Sequence, residues 1–131
     1  DLHELSKKFP LTMPAEGFLS RGFQPEQFHY GLDIAGRQGS PVLAAADGAV
    51  IFSAWTYDDG FTLMMAHDEG FTTVYKHNQA LLKYAGERVR RGEMIALLGN
   101  TGKTSSGPHV HFEVWKDGVA QDPTNYLLTI Q

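Results

Sequence analysis

Glycine-ended turns between short β-rich runs constrain the fold of this chain more than any other sequence feature. The runs are rich in β-branched and aromatic residues and comprise Ala49–Tyr57, Phe61–His67 and Phe71–His77. Asp58-Asp59-Gly60 and Asp68-Glu69-Gly70 between them are typical of hairpins, and Lys116-Asp117-Gly118 is a similar turn. We expect a positive φ at Gly60 and Gly70, which only glycine adopts without strain. The pattern predicts a mainly β domain of antiparallel meanders with little helix.

The remaining segments add one strand and one short helix to this prediction. Met94–Leu98 is an apolar run that predicts a strand, and a loop of small residues follows it. Gln79–Ala85 predicts a short helix that ends at Gly86. We expect residues 1–20 to lead into the first strand and residues 21–131 to form one domain. Because the chain begins with Asp1 rather than Met, we expect it to be the C-terminal part of a longer protein, with any membrane anchor upstream.

Composition excludes several classes of protein. A chain of 131 residues with 42% hydrophobic residues is long enough to bury one core without cross-links. Its net charge of −4 argues against nucleic acid as a partner. The longest apolar runs are far too short to cross a bilayer. The absence of cysteine excludes disulfides and thiolate metal sites.

Two histidines stand one residue apart in the strand-like stretch GPHVHFEVW, residues 107–115. Alternation along a strand puts His109, His111, Glu113 and Trp115 on one face. Val110, Phe112 and Val114 share the other face, which is an ordinary core face. The first face is either a polar sheet surface or part of a metal site, and Glu113 on it suits a hydrogen-bond acceptor or a surface charge.

Another histidine lies near a carboxylate in HYGLD, where His29 and Asp33 are four residues apart. In an extended chain both side chains project to the same face, with Gly31 between them. Two imidazoles and a carboxylate, with His111 as the third ligand, make up the ligand set of a catalytic zinc. We expect His3 and His67 to be solvated or to cap turns. His77 is ambiguous from its own surroundings.

Together these motifs resemble the lysostaphin-type (LytM-like) zinc metallopeptidases, which cut peptide cross-links in bacterial peptidoglycan. The resemblance covers roughly residues 9–128 and rests on five segments in order: FHYGLD, SPVLAAADGAVIFS, TTVYKH, GERVRRGEMIALLGNTG and GPHVHFEV. It implies that Zn²⁺ is bound by His29, Asp33 and His111. It also implies that His77 and His109 are catalytic residues rather than ligands. The stretch SRGFQPEQFH departs from the family's usual F-G-x-R pattern, at what would be the rim of the groove.

The resemblance carries further expectations. The fold would be a small antiparallel β domain whose groove is floored by a sheet and walled by loops. The function would be hydrolysis of peptidoglycan peptides outside the cytoplasm by a monomeric domain. Tyr75 lies two residues before His77, so we expect the two side chains to share a face of the strand. Tyr75 would be either a core or groove-wall aromatic or a catalytic phenol.

Three rival interpretations exist. A non-catalytic relative would act as a regulator or wall-binding module, but all five key positions are filled here. A non-haem iron enzyme also uses two histidines and a carboxylate, although the glycine spacings do not match one. A lipoyl-type carrier has similar hairpins but needs a lysine at a tight turn, which this chain lacks in a suitable context.

Overall fold

The computed structural model describes residues 9–128. His3 and the first residues of the N-terminal segment lie outside this range, so the expectation for His3 is not addressed. The strands, all paired antiparallel, are β1 Phe18–Arg21, β2 Leu32–Ala35, β3 Pro41–Leu43, β4 Gly48–Thr56, β5 Gly60–Ala66, β6 Phe71–Asn78, β7 Ala80–Leu81, β8 Arg88–Val89, β9 Met94–Leu97, β10 His109–Lys116 and β11 Val119–Gln121. Three short 3₁₀ turns, Pro25–Gln27, Asp68–Gly70 and Pro123–Asn125, complete the described elements. The predicted class, mainly antiparallel β with little helix, is confirmed.

The strands form two sheets. The main sheet has the order β1-β2-β10-β6-β5-β4-β8, with β11 paired to β10, and the small sheet has the order β3-β9-β7. One hydrophobic cluster joins the two sheets, and its members include Ile34, Leu63, Val110 and Phe112 from the main sheet and Val42 and Ile95 from the small one. The opposite face of the main sheet is therefore left to form a site.

The predicted hairpins are present. Gly60 ends the turn between β4 and β5 with φ +70°, and Gly70 ends the turn between β5 and β6 with φ +78°. Gly118 follows Asp117 in the turn between β10 and β11, and both have positive φ. The turns bring β4, β5 and β6 side by side in chain order.

The predicted helix over Gln79–Ala85 is wrong. Ala80–Leu81 forms β7, which pairs with β9, and the amide of Leu82 donates to the carbonyl of Ile95 at 2.9 Å. A seven-residue helix has little stability alone, so the hydrogen bonds offered by β9 decide the conformation. No helix in the described range has the length and apolar character needed to cross a membrane.

The division of the chain at residue 20 remains a prediction. Leu11 and Ala15, which precede that division, pack in the core. Leu11 also forms a β-bridge with Leu127 near the other end of the described range. The described part of this segment, from residue 9 on, thus packs in the same body as the strands.

Candidate metal centre and catalytic site

A groove of about 680 Å³ lies on the open face of the main sheet. Its floor is made of strand residues, Asp33, Lys76, His111 and Glu113, and its walls come from the segments at 20–30 and 104–108. This matches the expected groove, floored by a sheet and walled by loops.

The three predicted metal ligands meet in this groove. His111 on β10 is the direct cross-strand partner of Asp33 on β2, and His29 lies just before β2. The candidate ligand atoms of these three residues all lie within 4.8 Å of one another. Gly31 permits the close approach, because a Cβ there would lie 2.7 Å from His111 Nε2. The described residues therefore bring together two imidazoles and one carboxylate, a donor set that suits Zn²⁺.

Hydrogen bonds hold each candidate ligand imidazole in one orientation. His29 Nδ1 donates to the carbonyl of Gly22 at 2.7 Å, which leaves Nε2 facing Asp33 Oδ2 at 3.1 Å. His111 Nε2 lies 2.9 Å from Glu113 Oε2, and its Nδ1 lies 2.7 Å from Asp33 Oδ1. Acceptors on the outer nitrogens turn the inner nitrogens towards a shared point, as around bound metal ions. Glu113 thus has the role of a hydrogen-bond acceptor beside a candidate ligand, one of the two roles expected from the sequence.

The carboxylates of the floor are held ionised. Burial alone would raise the pKa of Glu113, but the hydrogen bond from His111 and the charge of Lys76 lower it to about 2. Burial also opposes ionisation of Asp33, yet His111 and the other nearby imidazoles keep its pKa below the ordinary value. The floor therefore carries negative charge at neutral pH, which favours a bound cation.

His77 enters the groove only because its backbone breaks the alternation of β6. Thr73 and Tyr75 point into the core with no exposed surface, so an unbroken strand would send His77 there too. Its φ of +69° turns the side chain to the groove instead. The amide of His77 donates to the carbonyl of Asp59, and the Asn78 side chain donates to two carbonyls, which together hold this strained conformation.

His77 and His109 face each other across the groove, with ring centroids 4.9 Å apart. His77 Nδ1 donates to the carbonyl of Thr101 at 2.8 Å, and His109 Nδ1 donates to that of Gly107 at 2.7 Å. Because a carbonyl only accepts, each neutral ring keeps its lone pair on Nε2. Burial and the neighbouring imidazoles lower the pKa of His77 despite the bond to Thr101. His109 Nε2 is 3.8 Å from Asp33 Oδ1, so it borders the candidate ligands.

Two sequence expectations are corrected here. Tyr75 does not share a face with His77: it is a core residue whose hydroxyl accepts from the amide of Ala45 and contacts Thr73 Oγ1, and burial raises its pKa to about 12. His67 neither caps its turn nor stands free in solvent. Its Nδ1 donates to the carbonyl of Asp47 at 2.7 Å, and its Nε2 lies 2.7 Å from Thr73 Oγ1. Hydrogen bonds to residues of other strands and turns, which the local pattern does not predict, decide both cases.

Sequence reasoning missed Lys76 and Phe28. Lys76 lies on the groove floor between Asp59 Oδ2 at 3.1 Å and Glu113 Oε2 at 3.0 Å. Lys76 could have been found from the sequence, because a lysine within a predicted, partly buried strand needs a partner of opposite charge. Phe28, adjacent to His29, lines the groove wall, is 83% exposed and has φ +58°. It lies in the stretch that departs from the family pattern.

The fold and site define a class of β protein with a sheet-floored groove and a His/Asp/His group in it. Residues 27–123 match Peptidase family M23, and the chain belongs to that family. The recognised resemblance to lysostaphin-type metallopeptidases is thereby confirmed.

Three similar proteins show the range of the family. A "Peptidoglycan DD-endopeptidase ShyC" of Vibrio cholerae is 37% identical over 72% of this chain and 22% of its own length. A "Murein hydrolase activator EnvC" of Escherichia coli is 35% identical over 91% of this chain and 28% of its own length. The crystal structure of a zinc containing peptidase from Vibrio cholerae is 32% identical, has a TM-score of 0.79, and is matched over 89% of this chain and 38% of that one. The chain spans between 21% and 38% of the length of the curated relatives it matches.

Proposed function

We propose that this chain is a zinc-dependent endopeptidase that hydrolyses peptide cross-links of bacterial peptidoglycan outside the cytoplasm. The observation that carries the proposal is the pair of additional imidazoles, His77 and His109, beside the candidate ligand group in one groove. A purely structural or carrier site would need the ligands alone. Groups that can move a proton are what hydrolysis adds to a metal site.

The residues present fit zinc. His29, Asp33 and His111 would hold the ion, with their outer atoms anchored by Gly22 and Glu113. Bound there, Zn²⁺ would supply Lewis-acid chemistry, lowering the pKa of a water to about 7 and polarising the scissile carbonyl. In the described part of the chain, three protein ligands leave room for water and substrate in the open groove.

His77 and His109 provide the proton transfers. In the neutral form each presents Nε2 as an acceptor towards the groove, because Nδ1 is bound to a carbonyl. One ring takes the proton from the attacking water, while the protonated partner donates to the developing oxyanion or the leaving amine. The backbone carbonyls of Thr101 and Gly107 keep both rings oriented through the cycle.

The similar proteins support peptidoglycan as the substrate class. The relative from Vibrio cholerae is named a peptidoglycan DD-endopeptidase, and a zinc containing peptidase shares the fold. The activator from Escherichia coli supports the alternative, a non-catalytic regulator of a murein hydrolase. The complete set of ligand and proton-transfer residues in this chain favours catalysis.

The test measures zinc and cleavage on the same preparations. We expect the purified chain to bind one zinc per molecule and to release soluble peptides from peptidoglycan, as read by mass spectrometry. Substrates of different cross-link type, D-alanyl–diaminopimelate and glycine-bridged, identify the bond. His111→Ala should lose zinc, whereas His77→Ala and His109→Ala should keep zinc and lose roughly 10²–10⁴-fold in turnover.

His67→Gln is the matched control, since it removes an imidazole outside the groove and should keep both zinc and cleavage. Stoichiometric zinc in His111→Ala would overturn the ligand assignment. Near-wild-type cleavage by His109→Ala would overturn the division of roles. A zinc-loaded chain that cleaves no peptidoglycan would favour the regulatory alternative.

A further inference from the structure

Lys76 places a positive charge beside the candidate metal site, where a second cation is unfavourable. It lies on β6 as the direct cross-strand partner of His111 on β10. Its side chain forms part of the groove floor and is 21% exposed. An ammonium near the site would weaken the binding of a metal ion unless its charge is balanced. The position of this lysine therefore needs a reason beyond packing.

Two carboxylates hold the ammonium of Lys76. Its Nζ lies 3.1 Å from Asp59 Oδ2 and 3.0 Å from Glu113 Oε2. Both distances allow charge-assisted hydrogen bonds. Burial lowers the pKa of Lys76, but the two carboxylates outweigh burial and raise this pKa above its ordinary value, so the lysine is charged. The charge of the ammonium is thus balanced by its own partners, and its action is on them.

Glu113 carries the effect of Lys76 to a candidate metal ligand. Its Oε2 contacts the ammonium of Lys76 and also lies 2.9 Å from Nε2 of His111. Its other oxygen, Oε1, accepts from the indole of Trp115 at 2.8 Å. A carboxylate that is held at one oxygen alone can still rotate, so the contact with Lys76 is what fixes Oε2. The orientation of the His111 ring depends on this oxygen, because Nε2 donates to it.

Asp59 links the same lysine to the strained backbone of His77. Asp59 precedes β5 in the turn after β4, and its carbonyl accepts from the amide of His77 at 2.8 Å. This hydrogen bond helps to hold the positive φ of His77. The ion pair between Lys76 and the Asp59 side chain ties the turn to the groove floor. One ammonium therefore connects the turn that supports a proton-transfer imidazole with the carboxylate that orients a candidate ligand.

We propose that Lys76 is a positioning residue, which holds the Glu113 carboxylate against His111 and so raises the affinity of the site for zinc. The proposal rests on the proposed function for the identity of the metal, and it gives Lys76 no contact with the substrate. Loss of the ammonium weakens zinc binding through Glu113. A guanidinium in its place, which also donates to carboxylates, restores the binding.

Zinc affinity, measured by competition with a chelating dye, tests the proposal without turnover. Lys76→Met should bind zinc about 3- to 30-fold more weakly, less than the roughly 10–100-fold cost of losing the direct partner of a ligand histidine. Lys76→Arg should recover most of this loss. Lys83→Met is the matched control, because Lys83 also pairs with a carboxylate, Glu93 at 2.7 Å, and its side chain is 23% exposed, but it does not line the groove. It should keep wild-type zinc affinity.

A double-mutant cycle with Glu113→Ala identifies the route of the effect. If Lys76 acts through Glu113, Lys76→Met should cause less than about a 2-fold further loss of zinc affinity in the Glu113→Ala background. Equal losses in the two backgrounds would overturn the proposal, and so would wild-type zinc affinity in Lys76→Met. A loss of turnover at unchanged zinc affinity would assign Lys76 a direct contact with the substrate and would also overturn it.

Melting temperature and peptidoglycan cleavage, followed on the same preparations, separate this inference from a purely structural role and from the proposed function. A lower melting temperature of metal-free Lys76→Met at unchanged zinc affinity would show that the lysine only supports the fold. Lys76→Gln, a milder change that also removes the charge, replaces Lys76→Met if that variant does not fold, with the same expected loss. A chain whose zinc affinity depends on Lys76 but which cleaves no peptidoglycan would support the positioning role and contradict the endopeptidase. Cleavage with zinc affinity independent of Lys76 would have the opposite meaning.

Discussion

Adding one methyl group at Gly31 should weaken metal binding without removing any ligand. In the native fold a Cβ at this position would lie 2.5 Å from the carbonyl oxygen of Phe112 and 2.7 Å from His111 Nε2. Non-bonded carbon contacts are normally about 3.5 Å. In Gly31→Ala the imidazole of His111 must therefore shift by roughly 1 Å, which disturbs its 2.9 Å contact with Glu113 Oε2. The backbone carbonyl of Phe112 must move as well.

The size of the effect has two parts. Overpacking of this kind costs about 1–3 kcal/mol of folding stability, which for a domain of this length lowers the melting temperature by roughly 3–10 °C. Loss of the bond between His111 and Glu113 costs about 10–100-fold in metal affinity, the usual effect of disturbing the partner of a ligand histidine. We expect both losses in Gly31→Ala.

Zinc affinity is measured by competition with a chelating dye, and stability by thermal melting of the metal-free protein. Gly22→Ala is the control, because a Cβ there meets nothing within 4 Å and the backbone carbonyl that accepts from His29 is kept. It should stay within about 0.5 kcal/mol of wild type. Wild-type zinc affinity and melting in Gly31→Ala would refute the reasoning that the glycine is needed for close approach to His111.

Two further predictions concern stability. Gly60→Ala and Gly86→Ala both place a side chain at positive φ, but only a Cβ at Gly60 would also lie 2.2 Å from Thr101 Oγ1. In urea unfolding, Gly60→Ala should therefore lose about 1–3 kcal/mol more stability than Gly86→Ala. Equal losses in the two variants would contradict the contact between the turn and Thr101. Burial lowers the pKa of His67 below its ordinary 6.5, so the neutral ring stabilises the fold above that pH and the contribution is lost as pH falls towards the lower, folded value. The difference in the free energy of unfolding between wild type and His67→Gln should therefore shrink from pH 7.5 to pH 5. A difference that grows in acid would mean that folding raises the pKa of His67 rather than lowering it.

Local sequence was sufficient to predict the hairpins and to select the candidate ligand group, which the structure brings together. Turn chemistry at Gly60 and Gly70 is a property of three or four adjacent residues, so it is readable without the fold. The period of two along β10 likewise placed His109, His111 and Glu113 on one face, as the structure has them. The order and spacing of the sequence motifs then identified the family. The zinc and catalytic roles of the individual residues remain proposals.

Tertiary structure decided the rest, because it depends on partners distant in the chain. Hydrogen bonds from β9 turned the expected helix at Gln79–Ala85 into an extended segment. The positive φ of His77, held by contacts with Asp59 and Thr101, sends one imidazole to the groove while Tyr75 stays in the core. Local alternation predicts neither outcome, since long-range contacts supply the free energy that overrides it.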